Sequence, residues 1–212
     1  MLGLPKTTEL AKPLPKKAVF EMFKPSAADR KLFDEQIRRM AIVAEISPQT
    51  LAVSASEEVA AIYVVLVSLK ASECDKKNIA LLSKLIDQRI LFVLQHGENA
   101  RLAAYRPLAG HAGFGKVFMS GVKPIGEWVL PLTGLDLQGI WENVIAQIGS
   151  IDLSGGKDLD ATIIENECRD KLASKIESLE KRAMGEKQPR RKWELVEEIR
   201  KLKIELENTQ NG

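Results

Sequence analysis

What this chain has little of excludes most familiar chemistry. His96 and His111 are its two histidines and Cys74 and Cys168 its two cysteines. None has a neighbour at a spacing that would build a zinc site or pair a nucleophile with its base. Both histidines therefore read as ordinary turn or surface residues. Two distant cysteines do not staple a secreted scaffold, and they fit a reducing compartment. The formal net charge is only +2, so the chain is no polycation that would coat nucleic acid or a membrane by bulk charge, and any such contact must be local. No apolar run approaches membrane-spanning length, and the N-terminal MLGLPKTTELAKPLPKK lacks the apolar centre of a signal peptide. The expected setting is cytoplasmic, with no membrane partner, no metal and no cofactor.

What is present is a real core and a charged appendage. With 212 residues, 45% hydrophobic and 28% charged, the chain can bury one compact domain and carry an extension. Pro5, Pro13 and Pro15 make residues 1–15 an extended arm. A helix is expected from Lys16 to Phe23, and Ser26 caps a second from Ala27 to about Arg38, with Leu32, Phe33 and Ile37 on one face. Met40, Ile42, Ala44 and Ile46 alternate as the buried side of a strand ending at Ser47-Pro48, and a short strand is expected near Leu51 to Val53. AIYVVLVSL (61–69) and ILFVL (90–94) are apolar on both faces, the mark of central strands. Between them, residues 75–89 return to helical spacing through Ile79, Leu82 and Ile86. His96-Gly97-Glu98-Asn99 turns the chain into an expected edge strand, Arg101 to Arg106. Glycines and prolines then mark loops over 107–134 with a short strand near Lys116 to Ser120, and Leu137, Ile140, Trp141, Val144, Ile145 and Ile148 form an amphipathic helix. GSIDLSGGKD (149–158) reads as a linker.

Beyond it, Leu172, Ile176, Leu179 and Ala183 recur at spacings of four, three and four, and Leu195, Ile199, Leu202 and Leu206 repeat that rhythm. Gly185 and Pro189 supply a helix stop and a restart between them. The expectation is an α+β protein: a mixed-sheet domain over residues 1–152, then an antiparallel helical hairpin over 153–212 that folds on itself or pairs between chains. The hairpin's tip would gather Lys181, Arg182, Lys187, Arg190, Arg191 and Lys192, with Glu186 the sole acid among them and Trp193 just beyond. An exposed aromatic there could stack on a base or anchor a protein partner; the bland alternative is a solvated turn.

Two other constellations invite chemistry. The glycines of GHAGFGKVFMSG (110–121) resemble a phosphate loop, yet Lys116 is followed by Val117-Phe118-Met119, a strand pattern, where that motif needs Ser or Thr at a helix start. Helix, three strands, helix, strand is also the element order of the restriction-endonuclease-like core, where acids and a lysine bind magnesium and activate water. Lys70 ends the apolar third strand, but Ser68 stands where such enzymes place an acid. The nearest carboxylates are Glu45, Glu57 and Glu58. A divergent metal-dependent nuclease using these residues is the alternative; the plainer reading leaves Lys70 at the solvent end of a buried strand.

LPKTTELAKPLPKKAVFEMF (4–23), IVAEISPQTL (42–51), IYVVLVSLK (62–70), NIALLSKLIDQRILFVLQHGENARLAAYRP (78–107) and EKQPRRKWELVEEIRKLKIELE (186–207) together resemble an uncharacterised bacterial family, the domain of unknown function DUF4391. The resemblance spans most of the chain. It implies a genomic setting beside DNA helicases and DNA methyltransferases, in restriction-like or antiviral defence loci, and it carries over no catalytic residue. The function expected from residues and resemblance together is a non-catalytic accessory subunit of a DNA-processing defence complex. Its hairpin would bind a helicase or methyltransferase encoded nearby, and its basic tip would reach DNA.

Overall fold

A computed structural model describes residues 2–107, 115–152 and 159–208, with side chains to Leu206. The chain forms two compact units, Met1–Asp152 and Leu153–Gly212. The first is a mixed sheet in the order β1-β2-β3-β4-β5-β6, with β7 also on β5.

β1 (Glu9–Leu14) lies antiparallel on β2 (Ile37–Ile46), with Leu14 level with Met40. The arm expected to be merely extended is thus the sheet's first strand, and Pro13 is tolerated because one side of an edge strand needs no donors. α1 (Lys16–Phe23) and α2 (Ala27–Gln36) follow, the latter capped by Ser26 Oγ, which accepts from Asp29 N at 3.2 Å. α2 stops two residues short of the expected Arg38. Ile37 turns extended (φ −102°, ψ 128°) and opens β2, so it reaches the core as a strand residue.

β2 pairs antiparallel with β3 (Ile62–Leu69), which runs parallel to β4 (Arg89–His96) with Ile62 level with Arg89 and Ser68 with Gln95. The expected strand at 51–53 is absent. Thr50 Oγ1 accepts from Ser47 N at 2.9 Å and donates to Glu45 O at 2.8 Å, closing a turn instead, and only Ser54 bridges to Asp136.

The parallel pair needs a crossover. It is α3 (Lys76–Leu82), capped by Asp75 Oδ1 accepting from Lys77 N at 2.8 Å. The helix is shorter than the 75–89 expected, because the Ser83 hydroxyl turns back to donate to Ala80 O at 2.9 Å and residues 83–88 wind to the start of β4. Leu85 and Ile86 still pack on the core from these turns.

Gly97, at φ 60°, makes the tight turn between His96 and its partner Asn99, opening β5 (Asn99–Pro107). β5 is not the expected edge strand. β6 (Gly115–Met119) and β7 (Lys123–Pro124) both pair with its far side. α4 (Leu137–Gly149) begins at Asp136, whose Oδ1 accepts from Gly139 N at 2.8 Å. Of the expected linker 149–158, Gly149 still belongs to α4, Ser150 takes the left-handed region, and residues 153–158 lie outside the described part.

Strand alternation sorts the core into two layers. On one face Met40, Ile42, Val65, Val67, Ile90, Phe92 and Leu94 meet Val19, Phe33, Ile79 and Leu82 of the first three helices. Phe20 and Phe33 add an edge-to-face contact at 5.3 Å. Ile62, Val64, Leu91, Val93, Leu102 and Ala104 point the other way and are buried too, as are Ile140, Trp141, Val144 and Ile145 of α4. α4 packs on β5 and β6 so closely that a Cβ on Gly149 would lie 2.9 Å from the Phe118 ring.

In the second unit α5 (Leu159–Gly185) and α6 (Pro189–Asn208) are joined by three residues, a connection too short for anything but an antiparallel hairpin. Leu172, Ile176, Leu179 and Ala183 form one cluster with Leu195, Ile199, Leu202 and Leu206. The 4-3-4 spacing reads the same in both directions, so antiparallel pairing sets Leu172 level with Leu206 and Ala183 with Leu195. Lys175–Glu198 at 3.2 Å and Glu180–Lys203 at 2.8 Å bridge the helices outside the seam.

Candidate functional site

The proposed metal-site residues are not brought together. Glu45 sits level with Tyr63 near the beginning of β3, and Glu57 and Glu58 lie in the loop before it, where Glu58 faces Arg89 at 3.8 Å. Lys70 follows the opposite end of the same strand. Seven residues at ~3.3 Å each place it roughly 23 Å from the level of Glu45. Its amide donates to Gln36 O at 2.8 Å and its ammonium to the carbonyl of Asp34, so it fastens the end of α2 to the end of β3. Among the described residues no three His, Cys, Asp or Glu side chains cluster to hold a metal ion.

The remaining candidates are equally quiet. His96 is exposed at the β4–β5 turn, and His111 lies outside the described residues, as do Gly110 and Gly113. Lys116 belongs to β6, with its ammonium 5.5 Å from the Phe118 ring centre, and does not start a helix. Cys74 is buried. Burial, and then the charge of Asp75, push its thiol up to about 11, so at neutral pH it is a protonated apolar group and not a nucleophile. A cleft of about 370 Å³ at the start of β4 is lined by Glu58, Lys84, Asp87, Arg89 and Tyr105. Sequence reasoning did not find it, because its residues come from separate segments. Two cations against two acids leave it no net charge that would define a ligand.

The hairpin tip is different. Lys181, Arg182, Lys187, Arg190, Arg191 and Lys192 are all exposed around the α5–α6 connection. Lys181 is tied to Glu177 at 2.6 Å; the hydrogen bond and the partner's opposite charge raise the pKa of Lys181 and lower that of Glu177. Arg190 reaches Glu194 at 3.5 Å. Glu186 spends its carboxylate on the amide of Gln188 at 2.9 Å. Arg182, Lys187, Arg191 and Lys192 form no ion pair among the described residues, which leaves four exposed cations within eleven residues around the connection. Trp193, 65% exposed, points elsewhere: it lies on the side of α6 opposite the seam, with Val196 and Ile204.

The model of a family described as a domain of unknown function, DUF4391, matches residues 2–206. The chain belongs to that family. No curated protein and no solved structure matches it. The DUF4391 match runs through both units, so sheet domain and hairpin belong to one family architecture. No helix among the described residues is long and apolar enough to cross a membrane.

Proposed function

We propose that this DUF4391 chain is a non-catalytic accessory subunit of a bacterial DNA-processing or antiviral defence complex. The hairpin joins it to its partner, and the tip contacts DNA phosphates. The setting, and a helicase or DNA methyltransferase as the partner, rest on the family resemblance. The observation that carries the contact is the tip itself, where four of six clustered cations are uncommitted. Charges held at the end of a rigid hairpin suit a regular row of phosphates, whereas a merely solvating surface interleaves both signs. Lys70 stands apart from Glu45, Glu57 and Glu58, so the nuclease alternative has no geometric support.

The test is duplex-DNA affinity as a function of salt for the full chain and for R182E/K187E/R191E, three positions away from the seam. Four phosphate contacts give a slope of about −3.6 in log affinity against log salt. The triple reversal is expected to abolish binding with unchanged helix content. DNA affinity that ignores both salt and the reversal overturns the phosphate contact. If DNA never binds and the reversal instead releases a co-purifying helicase or methyltransferase, the tip is a protein dock. If neither binding changes, it is only a turn.

A further inference from the structure

α6 carries a second seam. Trp193, Glu197, Arg200 and Ile204 are spaced four, three and four, the same rhythm as Leu195, Ile199, Leu202 and Leu206 but displaced by two residues. Two residues are about 200° of helix rotation, so this set faces away from α5. Its apolar members lie in solvent, Trp193 at 65% and Ile204 at 51% exposed, with Val196 on its flank at 47%. A helix whose outer face needs only solubility has no reason to carry a tryptophan and an isoleucine in register with a valine beside them.

The charges say what covers it. A 4-3-4 seam is unchanged when read backwards, so an antiparallel copy would set Trp193 against Ile204 of the other chain and Glu197 against Arg200, each twice. A parallel copy would stack Glu197 on Glu197 and Arg200 on Arg200. We infer that the outer face of α6 is a self-association surface, on which two copies of this chain pair their second hairpin helices antiparallel about a two-fold axis beside Glu198. Apolar ends supply the attraction. The central Glu197–Arg200 pairs fix orientation and register, as polar residues within helix–helix seams do. The residues at stake are not those of the tip reversal above, so either reading can fail without the other.

The experiment is sedimentation equilibrium of the full chain, without DNA, from about 1 to 100 μM, a span that covers weak self-association. The wild type is expected to reach twice the monomer mass. E197R and R200E alone each place like charges together twice per dimer and should weaken it at least about tenfold, whereas E197R/R200E restores opposite pairing and should recover dimerisation to within about threefold. A wild type that stays monomeric throughout overturns the proposal. So does a double variant no better than the singles while its helix content is native. Orientation is read in a C168S background by mixing chains carrying W193C with chains carrying I204C. Disulfides should join unlike chains, and cross-links only between like cysteines would refute the antiparallel arrangement.

Discussion

The sheet domain and the hairpin spend apolar residues in opposite ways. In β4 the whole run Ile90–Leu94 is buried, with alternate residues covered by different helix layers, so each side chain is enclosed from several directions. In α6 only the seam is covered, Leu195 and Leu206 incompletely, and the far side offers Trp193, Val196 and Ile204 to solvent. The lesson is a division of labour within one family architecture. The first unit covers the centre of its sheet on both faces and leaves its exposed apolar residues, such as Met22, Val129 and Leu135, off the sheet. The second buries Ile176, Leu179, Ala183, Ile199 and Leu202 along one seam between its helices and leaves its tip cations and the back of α6 exposed.

The strongest way to break this comparison is to empty the centre of the sheet. Phe92→Ala removes a fully buried ring and should cost about 3–5 kcal/mol, measured by urea denaturation in a W193F background where tryptophan fluorescence reports only Trp128 and Trp141. A loss below about 1 kcal/mol would mean the two-layer core is not what holds the domain. The hairpin should respond less to a comparable deletion. Leu202→Ala takes a side chain from a two-helix seam with no second layer behind it, and a loss of about 2 kcal/mol, at the low end for buried leucine, is expected in the helix-weighted circular dichroism transition. A larger effect than Phe92→Ala would reverse the ranking of the two units.

How much of this was legible follows the same division. β3 and β4 announced themselves because continuous apolar runs have few other uses, and α1 and α4 because caps or prolines bound clean periodicities. Three boundaries were not legible, for physical reasons. Ile37 satisfies the helical spacing from Phe33 and the strand alternation toward Met40 equally well, and only the pairing of β2 with β3 decides between them. α3 ends where the crossover must turn toward β4, a distance no local pattern encodes. β5 looked like an edge because its outer partners, β6 and β7, lie beyond a glycine-rich stretch of weak pattern. At the candidate site the tip's cations were visible as a cluster in sequence. The outer seam of α6 was not, because counting apolar periodicity discards Glu197 and Arg200, the two residues that give that seam its direction.

The smallest effect at neutral pH concerns the cysteines, one in each unit, Cys74 buried and Cys168 exposed. A thiol reagent at neutral pH should modify Cys168 promptly and Cys74 only as the domain opens, and in C168S the residual labelling should follow unfolding. The raised pKa of Cys74 also fixes a sign. The folded state keeps this proton up to about 11 whereas the unfolded chain releases it near 9.0, so between those values the unfolded state binds fewer protons and stability falls as pH rises. Two pH units set a ceiling of about 3 kcal/mol. Tyr63 is also raised, by burial and then by Glu45, and adds an alkaline loss of the same sign, so the quantity to measure is the wild type's alkaline loss minus that of Cys74→Ala. A positive difference confined to that window is expected. No difference, with Cys74 labelled as fast as Cys168 in the native protein, would mean that the end of β3 and the start of α3 open to solvent as readily as the hairpin's surface, and the contrast between a closed unit and an open one would fail there.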